Sequence, residues 1–396
     1  MRTYIKKLAA AGMAAMFLSA QVTTALAMDP VMPHDQVQEG MTGAAYTVVD
    51  SSGQLRSFQV DIIGTVDNGK GSQPMIMAKA SGPIIEQTGG ILQGMSGSPV
   101  YIDGYLIGAV AAGIKDMTPY TFFITPIDEM TPLWSMPDTK NKTHIRAIDI
   151  KKAAAAAAKA KADKEKKQKE RAADGERNKV YGDELVDRAR AAVEKDRQAQ
   201  KDEAQTKAEP AAETEPKDVL YFSGFNEAGL RFLQKQLDPK GTMQLLPMGA
   251  PSFMDAETAR YDAVLSPGDA VGVAVAYGDF AVGATGTVTA VDGKRILAFG
   301  HPFLHRGNVN YFMTEAQVVG TISGQSNGMK IANIGNIIGR INQDRATGVA
   351  GTLGEFPAVV PVKVKVTDES LGRSEAYSAR VAYDEDFLPQ LSGGIA

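Results

Sequence analysis

The chain has 396 residues, a net charge of −4, 44% hydrophobic and 22% charged residues, four histidines and no cysteine. That length accommodates two globular units with additions. The charge leaves no basic footprint for nucleic acid, and the lack of cysteine excludes thiolate catalysis, cysteine-ligated zinc and iron–sulfur clusters.

Residues 1–27 read as a secretory signal peptide. Arg2, Lys6 and Lys7 precede an apolar stretch, and Ala25-Leu26-Ala27 is a small-x-small cleavage site. The apolar run is shorter than the roughly 20 residues of a membrane span, which favours cleavage over an uncleaved anchor. The expectation is a secreted or envelope protein.

Residues 34–135 form a β-rich lobe. "GAAYTVVD", "SFQVDIIGTV", "PMIMAKA" and "PVYIDGYLIGAVAAGI" are short strand-like runs broken by turn residues, and Asp103-Gly104 marks a hairpin. "GTVDNGKGS" nearly spells a phosphate loop, but Gly71 stands where Ser or Thr is needed and no helix pattern follows, so it reads as a surface hairpin.

Residues 149–216 are rich in Ala, Lys and Glu and form a helical or disordered linker, or a rod that meets cell-envelope partners. Residues 217–262 suggest a small α/β connector, with Leu230, Phe232, Leu233 and Leu237 on one helical face. Residues 263–396 form a second β-rich lobe with Asp292-Gly293 as a hairpin and an edge strand near the C-terminus. The fold class is therefore mainly β, with two barrel-like lobes.

Within "GGILQGMSGSPVYIDGYLIGAV", Ser96 is either a nucleophile on a sharp turn or a small residue before a hairpin. Acyl transfer needs a nucleophile, backbone N–H donors for the oxyanion and a base. Gly94 and Ser96 supply candidate donors. The literal G-x-S-x-G motif fails at Ser98, and no helix follows. His301, where a strand leaves the second lobe, is the candidate base, against an incidental strand-end histidine. His34 and His144 read as solvated. His305 lies four residues beyond His301, but Pro302 opposes a helix across them, so no metal site is expected and no cofactor is called for. Asp344, in "RINQDRATG", is the candidate third member; its alternative is to cap that turn or pair with Arg345.

"TGGILQGMSGSPVYIDGYLIGAV" resembles the nucleophile segment of the SpoIVB peptidase family, and "GTVTAVDGKRILAFGHPF" its histidine segment. The family consists of serine peptidases related to the chymotrypsin-like double barrel. The resemblance implies Ser96 as nucleophile, Gly94 as an oxyanion donor, His301 as base and a protein or peptide substrate. The order is inverted, since Ser96 precedes His301, which implies a circular permutation. The family's aspartate, fifteen residues before the serine, is here Ser81. The implied activity is a secreted serine endopeptidase that can process itself; the alternative is a non-catalytic envelope protein on the same fold.

Overall fold

Alternation of inward and outward side chains organises the first three strands of the first lobe. The computed structural model describes residues 27–66, 73–113, 120–139, 218–237, 243–247, 259–323, 328–383 and 388–395. Residues 1–26 of the expected signal peptide, the charged insert and His144 lie outside them. In β1 (Thr42–Val48), β2 (Leu55–Val66) and β3 (Met75–Ser81) inward and outward positions alternate, as the pleat requires. Helix α1 (Pro83–Thr88) leads to the serine turn, then β4 (Pro99–Ile102), β5 (Tyr105–Gly113) and β6 (Thr121–Pro126). Asp103 and Gly104 have φ of 50° and 81° and join β4 to β5 as a two-residue hairpin. The six strands close into a barrel in the order β1-β2-β3-β6-β5-β4. Phe58, Val60, Ile76, Val100, Ile107 and Phe122 fill it. A short helix, α2 (Ile127–Met130), follows β6.

The connector is a strand–helix–strand unit. β7 (Asp218–Ser223) and β8 (Met243–Pro247) pair in parallel around α3 (Glu227–Leu237). Asn226 caps α3, its Oδ1 accepting from Gly229 N at 2.8 Å. Leu233 is fully buried, but Phe232 is 43% exposed, so the expected four-residue face does not hold at that position. The side chain of Leu237 lies outside the described residues.

The second lobe contains β9 (Ala270–Gly278), β10 (Ala281–Asp292), β11 (Arg295–Ala298), β12 (Gly307–Ile322), β13 (Met329–Arg345) and β14 (Gly348–Leu353). These pair in the order β9-β12-β13-β14-β11-β10, and β10 pairs with β9 again, closing a second ring. β10 is buried along almost its whole length, so it reads as a continuous run of small and apolar residues without alternation. β15 (Val359–Asp368) and β16 (Arg373–Ala382) extend the sheet from β9, and α4 (Leu388–Ile395) ends the chain. The C-terminal strand is not the edge: β16 lies between β9 and β15. β15 is the edge, and its Pro361, Lys363 and Lys365 suit a strand that must not recruit another.

Apolar side chains join the two barrels. Leu106, Ala109, Ile127 and Met130 of the first lobe form one buried cluster with Ala290, Leu297 and Ala350 of the second. Burying each large member contributes about 1.5–3 kcal/mol. A polar clamp adds to this. Arg340 of β13, 2% exposed, donates Nη1 and Nη2 to Asp138 at 2.6 and 2.8 Å, and Nε to Asn310 Oδ1 at 2.6 Å. The segment that follows the first lobe is thereby pinned to the second.

Asp138→Ala leaves a buried guanidinium without its main partner and is expected to lower the unfolding free energy by about 3 kcal/mol in urea titrations. Burial alone would raise the Asp138 carboxyl, but hydrogen bonds from Arg340, Asn308 and Asn342 bring it down from 3.8 to about 2. Its stabilising contribution is complete above 3.8 and is lost as pH falls through 2. The difference in melting temperature between wild type and Asp138→Asn should shrink over that window.

Candidate active site

The serine turn runs from α1 to β4, and two glycines make it possible. Gly94 has φ +85° and Gly97 φ +93°, backbone that residues with a side chain adopt at a cost. Gly97 also touches the second barrel. A Cβ there would lie 2.0 Å from Thr287 O and 2.5 Å from Phe299 N. The turn therefore docks on β10 and on the end of β11 only because residue 97 has no side chain.

Within this turn the backbone donors divide cleanly. Met95 N bonds Leu92 O at 3.0 Å, Gly97 N bonds Val110 O at 2.7 Å and Ser98 N bonds Met95 O at 2.9 Å. Among the described residues, the N–H groups of Gly94 and Ser96 make no internal hydrogen bond. These are the two donors expected to serve an oxyanion. The carbonyls of the same two peptide units are held. Gln93 O accepts from Lys330 N at 2.8 Å, and Met95 O accepts from Ser98 N and from Ser98 Oγ at 2.6 Å. In a trans peptide the N–H points opposite to the C=O, so anchoring each carbonyl aims the next N–H away from its anchor. Ser98, the residue that departs from G-x-S-x-G, supplies one of these anchors.

One residue of the second barrel connects the turn to the histidine segment. Thr287 of β10 donates its N–H to Ser96 O at 2.9 Å and its Oγ1–H to Gly94 O at 3.0 Å. Its own carbonyl accepts from Phe299 N at 3.2 Å. Two positions away, Thr289 Oγ1 donates to Gly97 O at 2.8 Å. Phe299 and Gly300 both have positive φ, 73° and 69°. A buried phenylalanine in that region stores strain of about 1–3 kcal/mol, held by its surroundings. Thr125 Oγ1 of β6 donates to Gly300 O, so the first barrel grips the chain just before His301.

His301 is half-buried, and its Nδ1 lies 2.8 Å from Pro302 O. A carbonyl can only accept, so Nδ1 carries the hydrogen, and in the neutral tautomer this selects, Nε2 holds the lone pair. Ser96 Oγ donates to Ala111 O at a long 3.4 Å. No hydrogen bond joins Ser96 to His301 among the described residues. Both nevertheless leave the same junction: Gly97 contacts Phe299, while Gly300 packs on Ala109 and Val110, next to Ala111.

Asp344 is fully buried at the end of β13, not in the polar turn its sequence suggested. Its carboxylate accepts from Phe303 N and Leu304 N at 2.8 Å each and from Arg306 N at 3.4 Å. Burial pushes its carboxyl up, and these backbone bonds oppose the shift. The acid thus fixes the loop after His301, and neither a bond to the imidazole nor an ion pair with Arg345 is present among the described residues. His305, at φ 55°, is exposed in the same loop. His34 is not solvated as expected: it is half-buried, with Nδ1 2.6 Å from Asp128 Oδ2. Glu129 stands beside this pair, the three potential ligand atoms lying within 4.8 Å of one another.

The sequence reading missed Thr287 and Lys330. Lys330 of β13 is completely buried, its Nζ 3.1 Å from Thr287 Oγ1 and 3.5 Å from Thr47 Oγ1. Burial lowers its ammonium from 10.5 to about 7. A lysine inside the apolar run "MKIANIGNIIG" was the available signal.

Two measurements check this arrangement. Gly97→Ala is expected to cost more than about 3 kcal/mol, since the contact is backbone and cannot yield cheaply. For Lys330, the unfolded chain binds the proton between about 7 and 10.5 while the folded chain does not. Stability should therefore rise with pH across that window, and Lys330→Met should remove the slope in denaturant titrations.

Residues 4–127 match the family model described as SpoIVB peptidase S55. Comparison with curated proteins and with solved structures gives no match. The matched region contains the whole first barrel, including Ser96, Gly94 and Ser98, and ends before the second barrel begins. That similarity to the SpoIVB peptidases covers the first barrel and supports a serine-type peptidase.

Proposed function

We propose that the protein is an exported serine endopeptidase whose site lies at the junction of its two barrels. Ser96 Oγ attacks the substrate carbonyl, and His301 Nε2 takes the hydroxyl proton. The N–H groups of Gly94 and Ser96 hold the oxyanion. Collapse of the tetrahedral intermediate expels the amine, which receives the proton from His301, and leaves an acyl group on Ser96. Water, deprotonated by the same imidazole, then releases the acid and restores the serine. The observation that carries this reading is the pair of N–H groups at Gly94 and Ser96 that make no hydrogen bond among the described residues, in a turn whose Met95, Gly97 and Ser98 N–H groups are all used.

In this mechanism Pro302 O takes the orienting role that a carboxylate fills in a full triad. It selects the Nδ1–H tautomer but stabilises the imidazolium less than an anion would. Asp344 is a positioning residue that acts through the loop after His301. Ser96 must rotate away from Ala111 O to meet Nε2, as apo hydroxyls often must. The serine barrel precedes the histidine barrel, as a circular permutation of the double barrel would place it. The Ala/Lys/Glu-rich insert joins the two lobes in sequence, and in this reading it is the segment open to self-cleavage and to envelope partners.

A second reading is a non-catalytic envelope protein on the same fold. The bond from Ser96 to Ala111 O and, among the described residues, the absence of a carboxylate bonded to the imidazole favour it. A fluorophosphonate separates the two. Covalent labelling of wild type at Ser96, abolished in Ser96→Ala with unchanged circular dichroism, is the expected result. His301→Ala should slow labelling at least about a hundredfold. An unlabelled wild type would leave the binding protein as the remaining reading.

A further inference from the structure

The side chain of Lys330 has no part in the mechanism above, yet it is buried against the oxyanion turn. Its stem lies under Gly94, where a Cβ would come 3.1 Å from Lys330 Cβ and 3.4 Å from Cε. Its Nζ reaches Thr287 Oγ1, and that hydroxyl continues to Gly94 O. Among the described residues no carboxylate bonds to Nζ. The groups around it are the hydroxyls of Thr47 and Thr287, and the nearby cluster of Val48, Ala270, Val318 and Ala332 is apolar. Asp269, next to Ala270, accepts on its Oδ2 from Ser266 N at 2.7 Å. Thr321, opposite Lys330 on β12, is not ionisable.

We propose that Lys330 is a positioning residue for catalysis, which through Thr287 fixes the Gly94–Met95 peptide, the link between the two peptide units whose N–H groups, at Gly94 and Ser96, face the oxyanion. The inference rests on the peptidase reading of Ser96. A hydroxyl has one hydrogen to give. An ammonium can only donate, so it occupies a lone pair of Thr287 Oγ1 and leaves the hydroxyl hydrogen for Gly94 O. A neutral amine can instead accept that hydrogen, and Gly94 O then loses its donor. The direction of the chain Lys330–Thr287–Gly94 therefore follows the protonation of one buried amine. With that amine titrating near 7, the turn is held on the acid side and released on the alkaline side. Labelling at Ser96 therefore acquires an alkaline limb set by Lys330.

The test is the rate of fluorophosphonate labelling at Ser96 in the full-length chain, followed by mass spectrometry as a function of pH. Lys330→Met keeps the stem under Gly94 and the backbone bond to Gln93, and removes only Nζ. It is expected to label on the order of ten- to a hundredfold more slowly and to lose the alkaline limb. Thr287→Val, with Lys330 intact, should be slowed to a similar extent, whereas Thr287→Ser, which retains the hydroxyl, should restore most of the rate. Should Lys330→Met fail to fold, the Thr287 pair carries the test. Wild-type rates and an unchanged pH profile in the folded Lys330→Met and Thr287→Val chains would overturn the proposal. A wild type that does not label at all would overturn the peptidase reading itself, and this inference with it.

Discussion

The arrangement of the site depends on the four hydrogen bonds of Thr287. Its N–H and hydroxyl reach the serine turn, its carbonyl reaches Phe299, and its oxygen receives the buried amine of Lys330. Each barrel folds around its own core, so neither alone specifies where the turn sits relative to the histidine segment. Backbone hydrogen bonds supply that specification because they are directional, whereas the apolar seam around Leu106 and Leu297 supplies affinity without direction. The close approach needed for these bonds explains the bare Cα at Gly97.

The electrostatics of the site are almost wholly those of neutral dipoles. Pro302 O orients the imidazole, Thr287 and Ser98 orient the turn, and the buried carboxylate of Asp344 is spent on backbone N–H groups. Lys330 is a charge-bearing group placed against the serine turn, and among the described residues no anion bonds to it. A site of this kind relies on preorganised geometry rather than on ion pairing, which makes it sensitive to small displacements and little affected by salt.

Much of the β architecture was legible in the chain. "SFQVDII" alternates strictly, and Asp103-Gly104 has the backbone freedom a two-residue hairpin requires. The serine turn was legible too, because a dense group of glycines around one serine has few structural uses. Phe232 and the C-terminal strand were misjudged for a common reason. Whether an apolar residue is buried, or a strand is an edge, depends on what packs beside it, and α4 and β15 are remote from the local pattern that was read. Asp344 was misplaced because a short polar string looks like a turn until the strands around it are paired.

The sequence by itself determined the elements and the chemistry available: two runs of short strands, a serine between glycines, a histidine at a strand end and no thiol. Those properties are local, since they rest on periodicity, turn stereochemistry and side-chain type. Only the tertiary structure decided which groups meet. It brought Gly97 onto Phe299, gave the orienting bond of His301 to its neighbouring carbonyl rather than to Asp344, and buried Lys330 beneath Gly94. The contacts of Gly97 with Phe299 and of Lys330 with Gly94, like that of Thr287 with Gly94, join residues about two hundred positions apart. No local pattern encodes them, because they arise only when two independently closed barrels are packed together.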